Sequence, residues 1–457
     1  MKSNIVFIII FLIKIHYILS QEIPQEFFRY KSQKIIFDSG EEWEHLTNFS
    51  PLRFNRFKIS KHADLDSSNF KLGLSKKDNS IALYGFGKLS YKNNIYGYLY
   101  PRIVNNPNSF VRHTGIINND SVAIESDISG FGYSTDWITL EICRGRESWG
   151  AGNNIQLALN ANSPPYDYFM LWSDYGKIRV NYIHGFLEST DNGINRYITA
   201  RGIEYSNRDN FIVGFSETVI YSGYSRPMDI GYINPISMHL EVELNDRLNV
   251  LGSNSANAVW QIHIDYLLKK KLRLSFNYLY DELVLDPSLE IGKENGTAYS
   301  LRTVYNLVKS PKNILNLSAN MIVIGTPTFR HSYGTNNFVQ RGYPIGFDFG
   351  SDGIEYGIEI NYYKPKNIIF TFGIGTRKIG QEAIINRHFD GYKDYLKGAF
   401  PSGNVIQNDF INISSELMLN NWLSIISNIS LEKYYNKNNS ASFNVGFNSY
   451  LPIGLSK

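Results

Sequence analysis

Ile354-Glu355-Tyr356-Gly357-Ile358-Glu359-Ile360-Asn361-Tyr362 alternates without a break. Ile354, Tyr356, Ile358, Ile360 and Tyr362 share one face, and Glu355, Gly357, Glu359 and Asn361 take the other. A period of two places successive side chains on opposite faces of a strand. The second face carries two carboxylates and a glycine, which suits a wet surface better than the packed core of a sandwich. A strand with lipid on one side and a water-filled lumen on the other explains this pattern directly.

The same alternation recurs along the chain. Ile368, Phe370, Phe372 and Ile374 alternate mainly with Thr371, Gly373 and Gly375. Leu272, Leu274, Phe276, Tyr278 and Tyr280 oppose Arg273, Ser275 and Asn277, while Ala441, Phe443, Val445 and Phe447 oppose Ser442, Asn444, Gly446 and Asn448. About eighteen such segments run from Phe70 to Leu451, beginning with Phe70–Lys77, Ser80–Tyr91 and Ile95–Val104. Most are about 8 to 13 residues long, the length of membrane-spanning strands rather than of soluble ones. Some junctions are short, such as Asn420-Asn421; others, Tyr221–Met238, Thr326–Asp352 and Lys378–Asn408, are long and aromatic-rich. Short turns at one rim and long loops at the other are the asymmetry of an outer-membrane barrel. The fold expected is therefore all-β: a transmembrane antiparallel β-barrel of about 18 strands occupying residues 70–457.

Composition agrees and removes other classes. The 457 residues carry a net charge of only +3, too small for a broad nucleic-acid footprint. Charged residues make up 19% and aromatic residues 14%, mostly from 32 Tyr and 28 Phe, which excludes a disordered chain. The single cysteine, Cys143, rules out an intramolecular disulfide and a Cys-rich zinc site. Residues 1–20 read as a secretory signal: Lys2, the apolar run Ile5–Ile13, then a cut expected near Ser20. No later run approaches the length of a spanning helix. Residues 21–69 differ in character, with Ser39 as a helix N-cap before Glu41-Glu42-Trp43-Glu44, and are expected to form a short periplasmic or plug segment.

Motifs of catalysis are missing. There is no G-x-S-x-G elbow, no H-E-x-x-H, no phosphate loop and no complete G-x-G-x-x-G. Asp348-Phe349-Gly350 lacks the loops that would make it a kinase element. Asp348, Asp352 and Asp390 sit among glycines, where they fit side-chain turns better than a Ca²⁺ site. No cofactor, no metal and no enzymatic turnover are expected.

Two stretches stand out: Gly145-Arg146-Glu147-Ser148-Trp149-Gly150-Ala151-Gly152-Asn153-Asn154, leading into a strand expected at Asn154–Asn160, and Gly214–Pro235, which contains Gly214-Phe215-Ser216-Glu217 and Arg226-Pro227-Met228-Asp229. With Asp281–Leu285 and Tyr333–Gly353 they resemble, in the same order, the capsule-assembly Wzi family of outer-membrane barrels. The resemblance covers roughly residues 130 to 380, and the Gly214–Pro235 run is its most specific part. The chain departs from the family in residues 21–69, which show no evident helical bundle, and in its non-aromatic end Leu455-Ser456-Lys457.

The resemblance implies an 18-stranded barrel in the bacterial outer membrane, with a lectin-like role in retaining capsular or related polysaccharide. Sugar C–H faces pack on aromatic rings, and sugar hydroxyls pair with Asn, Asp and Arg. On that chemistry the binding candidates are Arg146, Trp149, Tyr224, Arg226, Asp229, Tyr232 and Asn234. Each also has a plainer use, as girdle, packing or loop-bracing residue, and Gly150 and Gly152 fit turn geometry better than ligand contact. The partners expected are surface polysaccharide and outer-membrane lipid, for a monomer that binds no nucleic acid. The alternative reading is a porin or substrate-specific channel, whose lumen-facing Arg and Glu would set selectivity. A barrel hydrolase that assembles Ser, His and Asp from different strands is the third.

Overall fold

The computed structural model describes residues 69–451, apart from 78–79, 92–93, 106–115, 119–121, 136, 153, 161, 208, 245–255, 270, 282–291, 311–312, 365–367, 393–396, 420–422 and 436. The expected signal (1–20), the segment 21–69 with its helix start, apart from Asn69, and the chain end 455–457 lie outside the described residues.

The described residues form twenty-one strands. They are β1 (Asn69–Lys77), β2 (Ser80–Tyr91), β3 (Ile95–Asn105), β4 (Ile116–Asn118), β5 (Val122–Ser134), β6 (Ile138–Gly145) and β7 (Tyr166–Asp174). There follow β8 (Ile178–Ser189), β9 (Ile194–Ser206), β10 (Phe211–Tyr224), β11 (Ala256–Leu268), β12 (Leu272–Tyr280), β13 (Thr297–Ser310) and β14 (Asn313–Ile324). The last are β15 (Val339–Gln340), β16 (Tyr343–Pro344), β17 (Gly353–Lys364), β18 (Ile368–Ile379), β19 (Ile406–Met418), β20 (Leu423–Tyr434) and β21 (Ser440–Leu451). Two short helices, α1 (Ile230–Ile233) and α2 (His239–Leu244), lie between β10 and β11.

All but β4, β15 and β16 pair antiparallel with their neighbours in one circuit. The circuit closes where β1 meets β21, from Phe70↔Leu451 to Lys76↔Val445. An eighteen-stranded barrel results, as the alternation predicts. β4 is an added rung on β5, and β15–β16 form a small hairpin in a loop.

Side-chain burial is inverted relative to a water-soluble protein. On β12, Arg273, Ser275 and Asn277 are buried, whereas Leu274, Phe276 and Tyr278 are exposed. On β11, Gln261, His263 and Asp265 are buried and Ile262, Ile264 and Tyr266 exposed. An exposed apolar face around a polar interior is stable only where lipid replaces water outside. The buried inner wall is held by cross-strand ion pairs: Arg273 Nη2 lies 2.6 Å from Asp265 Oδ2, and Arg302 Nη2 lies 2.7 Å from Glu359 Oε2. Glu204 takes both Arg179 and His263. Gly214 faces the His263 ring so closely that a Cβ there would strike it.

The two rims differ. One carries only tight connections, 92–94, 135–137, 175–177, 207–210, 269–271, 311–312, 365–367 and 419–422, together with both ends of the circuit. The other carries every long one: 106–121, 146–165, 225–255, 281–296, 325–352 and 380–405. In an outer-membrane barrel the tight rim is periplasmic and the long-loop rim extracellular. Exposed Trp137 and Tyr175, with ring centroids 6.3 Å apart, stand at the tight rim as interfacial aromatics do.

Candidate functional site

Sequence alternation assigns Asn154–Asn160 to a strand, and the structure corrects this. The segment 146–165 leaves β6, turns into the lumen and crosses to strands six places away round the circuit. Its backbone is irregular, with one isolated bridge between Trp149 and Leu159. Inside a barrel its peptide groups still need partners, and wall side chains supply them. Asn277 Nδ2 donates to Ala151 O at 3.0 Å, and Ala151 N donates back to Asn277 Oδ1 at 2.7 Å. Gln261 Nε2 donates to Trp149 O at 3.1 Å, and Ser300 Oγ to Ile155 O at 2.7 Å. Glycine makes this approach possible: a Cβ on Gly150, whose φ is 128°, would lie 2.6 Å from Asn277 Oδ1.

A second inward loop, 325–352, packs on the first. Phe347 N donates to Leu157 O and Asn160 N to Ile345 O, both at 3.1 Å. Trp149, Ile155, Leu157, Leu159, Phe329, Phe338, Ile345, Phe347, Phe349 and Ile384 share one apolar core inside the ring. A core built largely from loops thus occupies the upper lumen. Arg196 of β9, wholly buried, fastens the second loop by donating to the carbonyls of Thr335, Asn337 (2.6 Å) and Val339 (2.9 Å) while pairing with Glu188. Asp352 fastens the third, 380–405: its carboxylate accepts from Ser402 N (2.9 Å), Ser402 Oγ (2.5 Å), Glu382 N (3.1 Å) and Thr326 Oγ1 (2.8 Å). That carboxylate is a loop brace, and Asp390 pairs with Arg387 at 3.4 Å.

Above this core the loops form an outer surface. Tyr333, Arg341, Phe389 and Asp390 are exposed on it, with Arg387 partly so. Arg341-Gly342, both with positive φ, make the two-residue turn of the β15–β16 hairpin and hold Arg341 outward. The Arg341 backbone N–H donates to Glu188 at 3.1 Å. Beneath, Arg330 lies against the Tyr392 ring at 4.9 Å, and burial pushes both the Arg330 guanidinium down and the Tyr392 phenol up from their ordinary pKa values.

The seven residues singled out by sequence are spread between these parts. Arg146 and Trp149 belong to the lumen core: Arg146 Nε donates to Ser163 O at 2.7 Å, and Trp149, 1% exposed, donates to Glu147 at 3.0 Å. Arg226 and Tyr232 are also buried. Arg226 bonds Asp229 (2.9 Å) and Ser222 O (3.0 Å) and lies over the Tyr221 ring; Tyr232 stacks on Tyr221 at 4.6 Å. Asp229 caps α1 through Gly231 N, and Asn234 bonds Ser237 Oγ at 2.8 Å. Tyr224 is 80% exposed at the rim, and Asn234 is exposed too, though held by its bond to Ser237. The four buried residues are turned toward their own chain, whose loops their bonds brace. Buried Arg196 and the exposed Tyr333, Arg341 and Phe389 were not among the seven, because alternation identifies wall residues but not what loop atoms meet or which of them end on the outer surface.

No family model matches the sequence, and no curated protein matches it. Among solved structures the chain is similar to one described as Wzi, an outer-membrane protein involved in group 1 capsule assembly in Escherichia coli and a carbohydrate-binding β-barrel. The TM-score is 0.62 at 12% identity, over 96% of this chain and 93% of that one. The fold is that of the Wzi barrel. A BenF-like porin from Pseudomonas fluorescens Pf-5 aligns with a TM-score of 0.47 at 8% identity, over 85% and 98% of the two chains. OprD from Pseudomonas aeruginosa gives 0.44 at 11%, over 84% and 94%. The Wzi barrel and this chain thus share an outer-membrane architecture.

Proposed function

We propose that the protein binds and retains surface polysaccharide on the extracellular face of a plugged barrel, without turnover. The observation that carries this reading is the lumen itself, filled among the described residues by an apolar core with matched hydrogen bonds. A packed interior suits adhesion better than passage. The fold shared with a barrel described as carbohydrate-binding gives further support. The contact surface would be Tyr333 and Phe389 for sugar faces, with Arg341, Arg387 and Tyr224 for hydroxyl or acidic groups. Individually weak contacts repeated along one polymer add up to firm retention.

The test is the partition of surface polysaccharide between cells and medium, with the gene deleted, restored, or restored as Tyr333→Ala with Phe389→Ala. Deletion and the double variant should both shed polymer at unchanged total synthesis. Unchanged retention in the deletion strain would reject the proposal for that polymer.

A further inference from the structure

The described part of the connection between β10 and β11, residues 225–244, does not rise into solvent. Residues 225–244 fold back over the outside of the barrel, onto wall positions that elsewhere face lipid. Arg201 and Glu217 are cross-strand partners in the same outward rows as exposed Ile203 and Phe215. Both are nevertheless buried, with Arg201 Nε 3.3 Å from Glu217 Oε2. Tyr182, His184, Tyr197, Thr199 and Tyr221 are buried in the same way. The covering segment bonds to this patch: Tyr182 Oη donates to Ile233 O at 2.7 Å, and His239 N donates to Glu217 at 3.1 Å. Trp260 Nε1 adds a bond to Glu217 at 2.9 Å.

The other face of the segment is mostly apolar, although Asn234 and Glu241 of the segment are exposed as well. Ile230 is 82% and Ile236 84% exposed, with Met228, Ile233, Met238 and Leu240 exposed beside them. Arg201 stands four residues along β9 from exposed Tyr205 near the tight rim. At about 3.3 Å per residue and a 35–45° tilt, it lies roughly 10 Å up an apolar band about 25 Å tall. The segment therefore lies within the bilayer.

Between it and the wall runs a groove of about 850 Å³, lined by Ile142, Phe169, Leu171, Phe186, Met228 and Ile233. Arg144 stands at the extracellular end of the groove. Its Nε and Nη2 are taken by Asp167 at 2.8 and 2.7 Å, which leaves Nη1 for another acceptor. We propose that this groove holds one acyl chain of a phosphate-bearing lipid of the outer leaflet, with the phosphate on Arg144. An apolar trough opening on the hydrocarbon layer and topped by a guanidinium is complementary to such a lipid. The polar patch beneath explains why the segment is there, since Arg201 and Glu217 would otherwise meet lipid.

The test is native mass spectrometry of the full chain in dodecylmaltoside, titrated with bisphosphorylated lipid A and with its dephosphorylated counterpart. The wild type should retain one phosphorylated molecule at least tenfold more tightly than the dephosphorylated one. Arg144→Gln should erase that preference, and Leu171→Trp, which fills the trough, should weaken both at least tenfold. Heat-modified gel mobility checks that each variant is folded. A nitroxide on Ile236→Cys should collide with oxygen in preference to a water-soluble nickel chelate. Equal retention of both lipids by the wild type, unaltered retention in the folded variants, or a nitroxide open to nickel would each overturn the proposal.

Discussion

Arg196 shows how a charge inside a barrel can hold a loop. Its guanidinium reaches three carbonyls of 325–352 and the Glu188 carboxylate, with no exposed surface. Removing one partner of a buried charged network costs about 3–5 kcal/mol, because the other stays buried without its mate. Arg196→Ala should therefore release the 325–352 loop while leaving the ring paired. Limited proteolysis would show new cleavage within that loop, and a loop as resistant as the wild type's would reject the role. Sequence did not disclose this. Alternation places Arg196 on an inner face but says nothing of the distant carbonyls it meets. The same blindness affected Arg146, Trp149, Arg226 and Tyr232, whose residue types suit a sugar site and whose burial against their own chain alternation does not disclose.

At the scale of elements, the strands were legible and the inward segments were not. Lipid outside and a polar wall inside impose a strict period of two, so β12, β17, β18 and β21 are plain in the sequence. The stretch Asn154–Asn160 carries a similar apolar pattern for another reason: Ile155, Leu157 and Leu159 pack into a core of loops. Nor did alternation reveal the segment 225–244, because Arg201 and Glu217 on an outward row read simply as polar wall positions. The inward segment depends on close approach at Gly150, where any side chain would strike Asn277 and Gln261. Gly150→Val should displace it and open the lumen. In planar bilayers the wild type should show no steady conductance and Gly150→Val should show discrete openings. A conducting wild type would move the porin reading ahead of retention.

Among the described residues the wall is a closed circuit in which every strand has two partners and no edge is left for another chain to join. Its overall design, an eighteen-stranded wall with tight turns on one side and long loops on the other, could be read from strand length and spacing. What the loops do could not, because the lumen brings together residues more than a hundred positions apart, such as Ala151 and Asn277. The seam between Phe70–Lys76 and Val445–Leu451 carries a further consequence. Both ends of the circuit leave from the same rim, so within the finished ring the seam resembles any other pair of neighbours. The wall has no geometrically first strand. A chain rejoined across that seam and cut instead at the 190–193 turn would trace the same cylinder in a different order. The seam therefore marks only where the first and last wall strands meet, while the shape of the wall would survive being started elsewhere.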